Sequence, residues 1–102
     1  MSYEILVGLD IINEEVYQKY RNAMIPILLF YGGYFVYDFK VAEVLKSESK
    51  NKINRVFTIN FPDSKKMDAF FLDTKYKLIK EKYFSNSVAS TTIISSYEKN
   101  IQ

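Results

Sequence analysis

Residues 34–64 read YFVYDFKVAEVLKSESKNKINRVFTINFPDS. Two runs rich in aromatic and β-branched residues, 34–45 and 53–61, flank the polar segment 46–52. Such runs around a polar connection predict two successive strands joined by a wide loop. Pro62-Asp63-Ser64 then opens a helix, because proline ends the strand and Asp or Ser caps the first turn. The centre of the chain is therefore a hairpin that runs straight into a helix.

Upstream, Tyr3, Ile5, Val7 and Leu9 fall on one side of an alternating segment, with Glu4, Leu6 and Gly8 on the other. This is the pattern of a half-buried strand. Asp10 or Asn13 can cap the helix that follows, and Glu14-Glu15 suits its positive end. Val16, Tyr20, Ala23, Met24, Ile27 and Tyr31 predict the buried stripe, and Gly32-Gly33 supplies a left-handed stop. Pro26 removes one backbone bond toward Asn22 and predicts a kink. Residues 25–31 are apolar on nearly every side, which calls for a cavity or a partner over the extra face.

Downstream, Met67, Phe70 and Phe71 form the first buried turn of the second helical region. Tyr76, Ile79, Tyr83 and Phe84 continue it after a break at Asp73-Thr74. Residues 88–97 read as the last strand, and the tail from Glu98 is expected to fray. The order β-α-β-β-α-β predicts an α+β, ferredoxin-like domain with a four-stranded antiparallel sheet and both helices on one face. It is read as one domain over residues 1–102, with an ordered core at about 2–98. The second sheet face is left bare in this reading, with Val36, Val44 and Val56 among its residues. An identical chain would cover it most simply, giving a homodimer.

Composition narrows the function classes. The 102 residues include 48% hydrophobic and 25% charged side chains, an ordinary balance for a globular protein. Fourteen basic and twelve acidic residues leave a formal charge of only +2, too even to trap nucleic acid or an anionic membrane. Lys46, Lys50 and Lys52 are broken by Glu48 and read as a solvated loop. Cysteine and histidine are both absent, which removes thiolate nucleophiles, the commonest general base and the usual zinc and haem ligands. There is no nucleotide-binding glycine motif and no spaced acidic motif, so neither cofactor nor metal is expected. The start of the chain lacks a basic, apolar leader, and residues 24–39 are interrupted by Pro26, Gly32, Gly33 and Asp38. No membrane span and a cytoplasmic address are expected.

Several of these segments together resemble a known family. They are the opening Tyr-Glu-Ile-Leu-Val-Gly-Leu-Asp, then Tyr17-x-x-Tyr20-Arg21 with Pro26 and Tyr31-Gly32-Gly33. Asn54-Arg55-Val-Phe-Thr-Ile-Asn-Phe61-Pro62-Asp63, Phe70-Phe71 and Tyr76 complete the set. The chain resembles domain-of-unknown-function family 1330, within the dimeric α/β-barrel superfamily, over about residues 2–98. The resemblance implies a ferredoxin-like fold and a dimer whose sheets close into a barrel. It implies no activity, since that family is uncharacterised. Better-known members of the superfamily include cofactor-independent monooxygenases and lactone isomerases, and haem-binding members whose histidine ligands this chain lacks.

Five residues are candidates for a ligand site. Asp38 and Arg55 stand among aromatic and β-branched strand residues, where an ionised group needs a partner or a polar cavity. They read as an anion clamp or as a structural ion pair. Tyr20 and Tyr34 belong to a dense tyrosine set that suits an aromatic ligand, and packs equally well as core. Asn60 can orient a carbonyl or cap the turn at Pro62. RNA recognition shares this element order, but Arg55-Val-Phe-Thr-Ile-Asn-Phe61 lacks the required small residues. The functional expectation is a homodimer that binds a small apolar or aromatic anion between the sheet and the first helix. It extends to a cofactor-independent, monooxygenase- or isomerase-like enzyme; the alternative is a non-catalytic interaction module.

Overall fold

A computed structural model describes residues 1–100. Strand β1 (Ser2–Ile11) leads to helix α1 (Glu14–Phe30), and strands β2 (Tyr34–Lys40) and β3 (Arg55–Phe61) follow. Helices α2 (Ser64–Leu72) and α3 (Thr74–Ile79) pass into a π-helical turn at Lys80–Phe84. The short α4 (Ser85–Ser87) and strand β4 (Val88–Lys99) complete the chain. The sheet order is β2-β3-β1-β4 and every pairing is antiparallel. This is the expected ferredoxin-like fold.

Local chemistry explains the helix ends. Of the two candidate caps, Asn13 closes α1, accepting the Val16 amide at 3.1 Å. At the other end the Gly33 amide reaches Leu28 O and the Gly32 amide reaches Leu29 O, both at 2.9 Å. This paired pattern needs a left-handed residue, and Gly32 has φ of 78°. Asp63 caps α2 through Lys66 N, and Asp73 both ends α2 and caps α3 through Tyr76 N, so the predicted break is real. The helix runs through Pro26 without interruption.

Ile5, Val7, Leu9, Phe57 and Ile59 from the sheet meet Tyr17, Met24, Leu28, Phe70 and Tyr76 from the helices. Each such side chain, once buried, stabilises the fold by about 1.5–3 kcal/mol. Phe61 and Phe70 are fully enclosed, with ring centres 5.8 Å apart.

Four expectations are corrected. The second strand stops at Lys40 rather than at residue 45, because the Val41 amide closes onto Asn54 O and the chain then leaves the sheet. Residues 41–54 cross the sheet face opposite the helices, so that face is not bare. Ile53 sits above Gly8, and Asn51 Nδ2 donates to Thr92 Oγ1 on β4 at 3.1 Å. The buried stripe of α1 is Tyr17, Tyr20, Arg21, Met24 and Leu28, turned about one position from the predicted one by the inward Arg21. Finally, Glu98 and Lys99 do not fray: they pair with Tyr3 and Ser2 in β4.

Asn54 fixes the start of β3 with its side chain. Its Oδ1 accepts the Ile11 amide and its Nδ2 donates to Ile11 O, each at 2.8 Å. Asn54 N adds a 2.8 Å bond to Leu9 O.

The most closely packed of the three glycines is Gly33, which is buried. A Cβ there would stand 2.4 Å from Leu28 Cδ1 and 3.0 Å from Phe61 Cε1. Gly33→Ala is expected to cost about 1–3 kcal/mol by overpacking, read as a lower urea midpoint at unchanged slope. An unmoved midpoint would mean that Leu28 yields freely.

Candidate functional site

Strand alternation sends Ile5, Val7 and Leu9 of β1 and Phe57 and Ile59 of β3 toward the helices. Where α1 and the α3 region separate over them, a cavity of about 430 Å³ remains. Its inner wall is apolar, completed by Met24, Met67 and Phe71. Thr91 and Ile93 of the edge strand β4, together with Lys80 and Phe84, form its outer border. Lys80 and Phe84 come from the two ends of the π-helical turn, a distortion found preferentially at functional sites. The Lys80 ammonium stands 5.7 Å from the centre of the Phe84 ring.

Two phenol groups supply the buried polarity of this cavity. Tyr20 of α1 and Tyr76 of α3 share a hydrogen bond of 2.9 Å between their hydroxyls. Burial pushes both hydroxyls above the ordinary tyrosine range, so both are neutral near pH 7. The pair holds two protons, and the mutual bond uses one. One O–H is left to offer a ligand.

Asp38 and Arg55 come together, but beside this cavity rather than in its wall. Arg55 Nε and Nη2 grip Asp38 Oδ1 and Oδ2 at 2.8 and 2.9 Å, the two-pronged geometry that suits a guanidinium. Glu14 stands 3.7 Å from Arg55 Nη1. A third charge joins them, and sequence reasoning missed it. Arg21 is buried, donates from Nε to the Tyr17 hydroxyl at 2.9 Å, and lies 3.8 Å over the Phe35 ring. Its Nη2 stands 3.1 Å from Asp38 Oδ2, within ion-pair reach but without hydrogen-bond alignment. Desolvation pushes the Asp38 carboxyl up, yet the Arg55 hydrogen bonds and the Arg21 charge outweigh it and hold Asp38 below the usual range. The Tyr17 ring separates this cluster from Tyr20, with Tyr17 and Tyr20 ring centres 5.7 Å apart.

Tyr34 and Asn60 lie on the opposite sheet face, paired across β2 and β3. Asn60 is buried and donates to Ser2 Oγ at 2.9 Å and to Glu4 Oε1 at 3.1 Å. Glu4 also accepts from the Tyr97 hydroxyl at 2.5 Å and pairs with Lys99 at 3.2 Å. Burial works against the ionised Glu4, but these donors hold its carboxyl below the ordinary value; the same bond raises Tyr97 to about 12. Of the five candidates, then, Tyr20 alone lines the cavity. Tyr76 and Lys80 line it too, and helical spacing from Tyr76 was the only signal that could have placed Lys80 there. Among the described residues no three acidic side chains gather to hold a metal, and no helix is long and apolar enough to cross a membrane.

Solved structures share this architecture. A Rhodopseudomonas palustris protein of unknown function, RPA0582, superposes with a TM-score of 0.82 at 15% identity, over 99% of this chain and 84% of its own. A dabb family protein with a ferredoxin-like fold from Mesorhizobium loti gives 0.68 at 12% identity, with 97% of each chain covered. SnoaB, a cofactor-independent oxygenase from Streptomyces nogalater, gives 0.58 at 8% identity, over 99% of this chain and 93% of its own. At such identities the likeness is one of fold alone. No curated protein matches the sequence. The family described as domain of unknown function (DUF1330) matches residues 2–97, nearly the whole chain, and the protein belongs to it.

Proposed function

We propose that this protein is a homodimer that binds a small aromatic anion in the cavity between sheet and helices and acts on it without a cofactor. The observation that carries the reading is the Tyr20–Tyr76 hydroxyl pair, set in apolar walls with one proton unspent. A cavity of about 430 Å³ falls in the range of ligand pockets, which pair apolar walls with a few placed donors. The reaction class is borrowed from the fold of a cofactor-independent oxygenase. Asp38 and Arg55 act here as structural support with Arg21, since their polar atoms are spent on one another.

The dimer reading rests on the sheet face opposite the helices. Tyr37 and Phe39 stack there with ring centres 5.7 Å apart, yet are 57% and 56% exposed. Tyr34 adds apolar area beside them on the same strand. Such a contiguous patch marks a contact surface, and a second copy meets it with the same patch.

The cavity is tested by titrating 2-naphthoate into the protein by calorimetry. Saturable binding is expected, and Ile93→Trp, which fills the border from β4, should abolish it. No binding to the unaltered protein would favour a non-catalytic interaction module. In sedimentation velocity the protein should run as a dimer, and the double change Tyr37→Glu and Phe39→Glu should yield a folded monomer. A pH series tests the role of Asp38. Its folded-state pKa is depressed, so its contribution is present above the unfolded value near 3.8 and is lost as pH falls below it. The protein should therefore lose more stability than Asp38→Asn between about pH 5 and 3. Parallel losses would leave the cluster without a stabilising role.

A further inference from the structure

We propose that the ligand of this cavity is an aromatic carboxylate that enters already ionised, with its charge at the Lys80 border and a neutral acceptor oxygen at the Tyr20–Tyr76 floor. The inference rests on the cavity reading above and assigns the orientation and chemical class of the ligand.

The argument turns on where a charge can stand. The described lining residues include no carboxylate, and Lys80 is the one cationic side chain among them. Lys80 is exposed, so a charge beside it keeps much of its water. The floor differs. A carboxylate moved there would forfeit several kcal/mol of hydration, while the single spare O–H returns only about 1.5–3 kcal/mol. A neutral carbonyl or ether oxygen gives up much less and takes the same proton. The favoured ligand therefore lies lengthwise, with its charge outside, its ring against Phe57, Phe71 and Phe84, and its acceptor inside.

The protonation state follows from the same groups. Neither floor hydroxyl is ionised near neutral pH, so neither takes a proton from the ligand. With no acidic or imidazole side chain in the lining, the proton is lost to water before entry. Carboxylic acids meet that condition at neutral pH, and simple phenols do not. The two tyrosines also back each other up. Removing one hydroxyl leaves the other with its own proton free, so only the double change to phenylalanine empties the floor of donors.

Three naphthalenes separate the parts of this claim by calorimetry: 6-acetyl-2-naphthoate, 2-naphthoate and 2-acetylnaphthalene. The first should bind most tightly. Losing its carboxylate should weaken binding about fivefold at low salt, an advantage that shrinks as salt rises. Lys80→Met should erase that preference and leave 2-acetylnaphthalene unchanged. The double change Tyr20→Phe and Tyr76→Phe should weaken the two acetyl compounds and spare 2-naphthoate, whereas each single change should have little effect. If 2-acetylnaphthalene binds, is blocked by Ile93→Trp and equals the acid in affinity, the carboxylate assignment is overturned while the cavity stands. If none of the three binds, or Ile93→Trp blocks none of them, the cavity reading falls and takes this inference with it.

Discussion

A guanidinium buried beneath an edge strand sets the rotation of the first helix. Arg21 is held from three directions: by Asp38 on β2, by the Tyr17 hydroxyl one turn back, and by the Phe35 ring beneath it. An unpaired charge at that depth is so costly that α1 has little freedom to turn about its own axis. Tyr20 is the preceding residue, roughly 100° around the helix. Fixing Arg21 over the β2 side of the sheet therefore points Tyr20 toward the β4 side, where Tyr76 meets it. The charged cluster lies outside the cavity, yet it sets which hydroxyl of α1 faces into it.

The two faces of the sheet carry different kinds of polarity. On the helix side a neutral hydroxyl pair faces the cavity, and the charges are gathered apart from it in the Arg21–Asp38–Arg55 cluster. On the other side Ser2, Glu4 and Asn60 are buried in a network whose carboxylate already has its donors. Residues 41–54 cross that second face and are tied at Asn54 and Ile53, so the loop is part of the packing and not an appendage. The absence of a Cβ at Gly8 makes room for Ile53. Along β2, Tyr34, Tyr37 and Phe39 leave an exposed aromatic strip on this face.

The element order, the Asn13 cap, the Gly32 stop and the break at Asp73 were legible because each depends on chemistry within a few residues. The sheet faces were harder. Counting by twos along β2 puts Asp38 on the side opposite Phe35, but Val36 bulges out of the pairing and brings Asp38 round to the helix side. Arg21 was missing from the predicted stripe because its partner Asp38 lies seventeen positions away on another element. Tyr20 was found through helical spacing. Tyr76 was visible as an aromatic, but its role needs the 2.9 Å meeting with Tyr20 across 56 residues, which no local pattern carries. Tyr34 was drawn into the site by the density of tyrosines and Asn60 by its place near a strand end, and strand parity puts both on the far face.

The same bulges shape how copies of the chain can associate. The central pair β1 and β3 keeps regular register, while each edge strand carries extra residues: Val36 in β2, Ala89 and Ile94 in β4. A flat, regular edge invites an endless sheet, and an interrupted one does not. A strand arriving at β4 would find its hydrogen-bond ladder broken twice within twelve residues. Regular edge pairing is thus hindered at both margins, while the aromatic strip of β2 stays exposed. The surface aromatics therefore sit on a sheet whose margins offer an incoming strand no unbroken ladder.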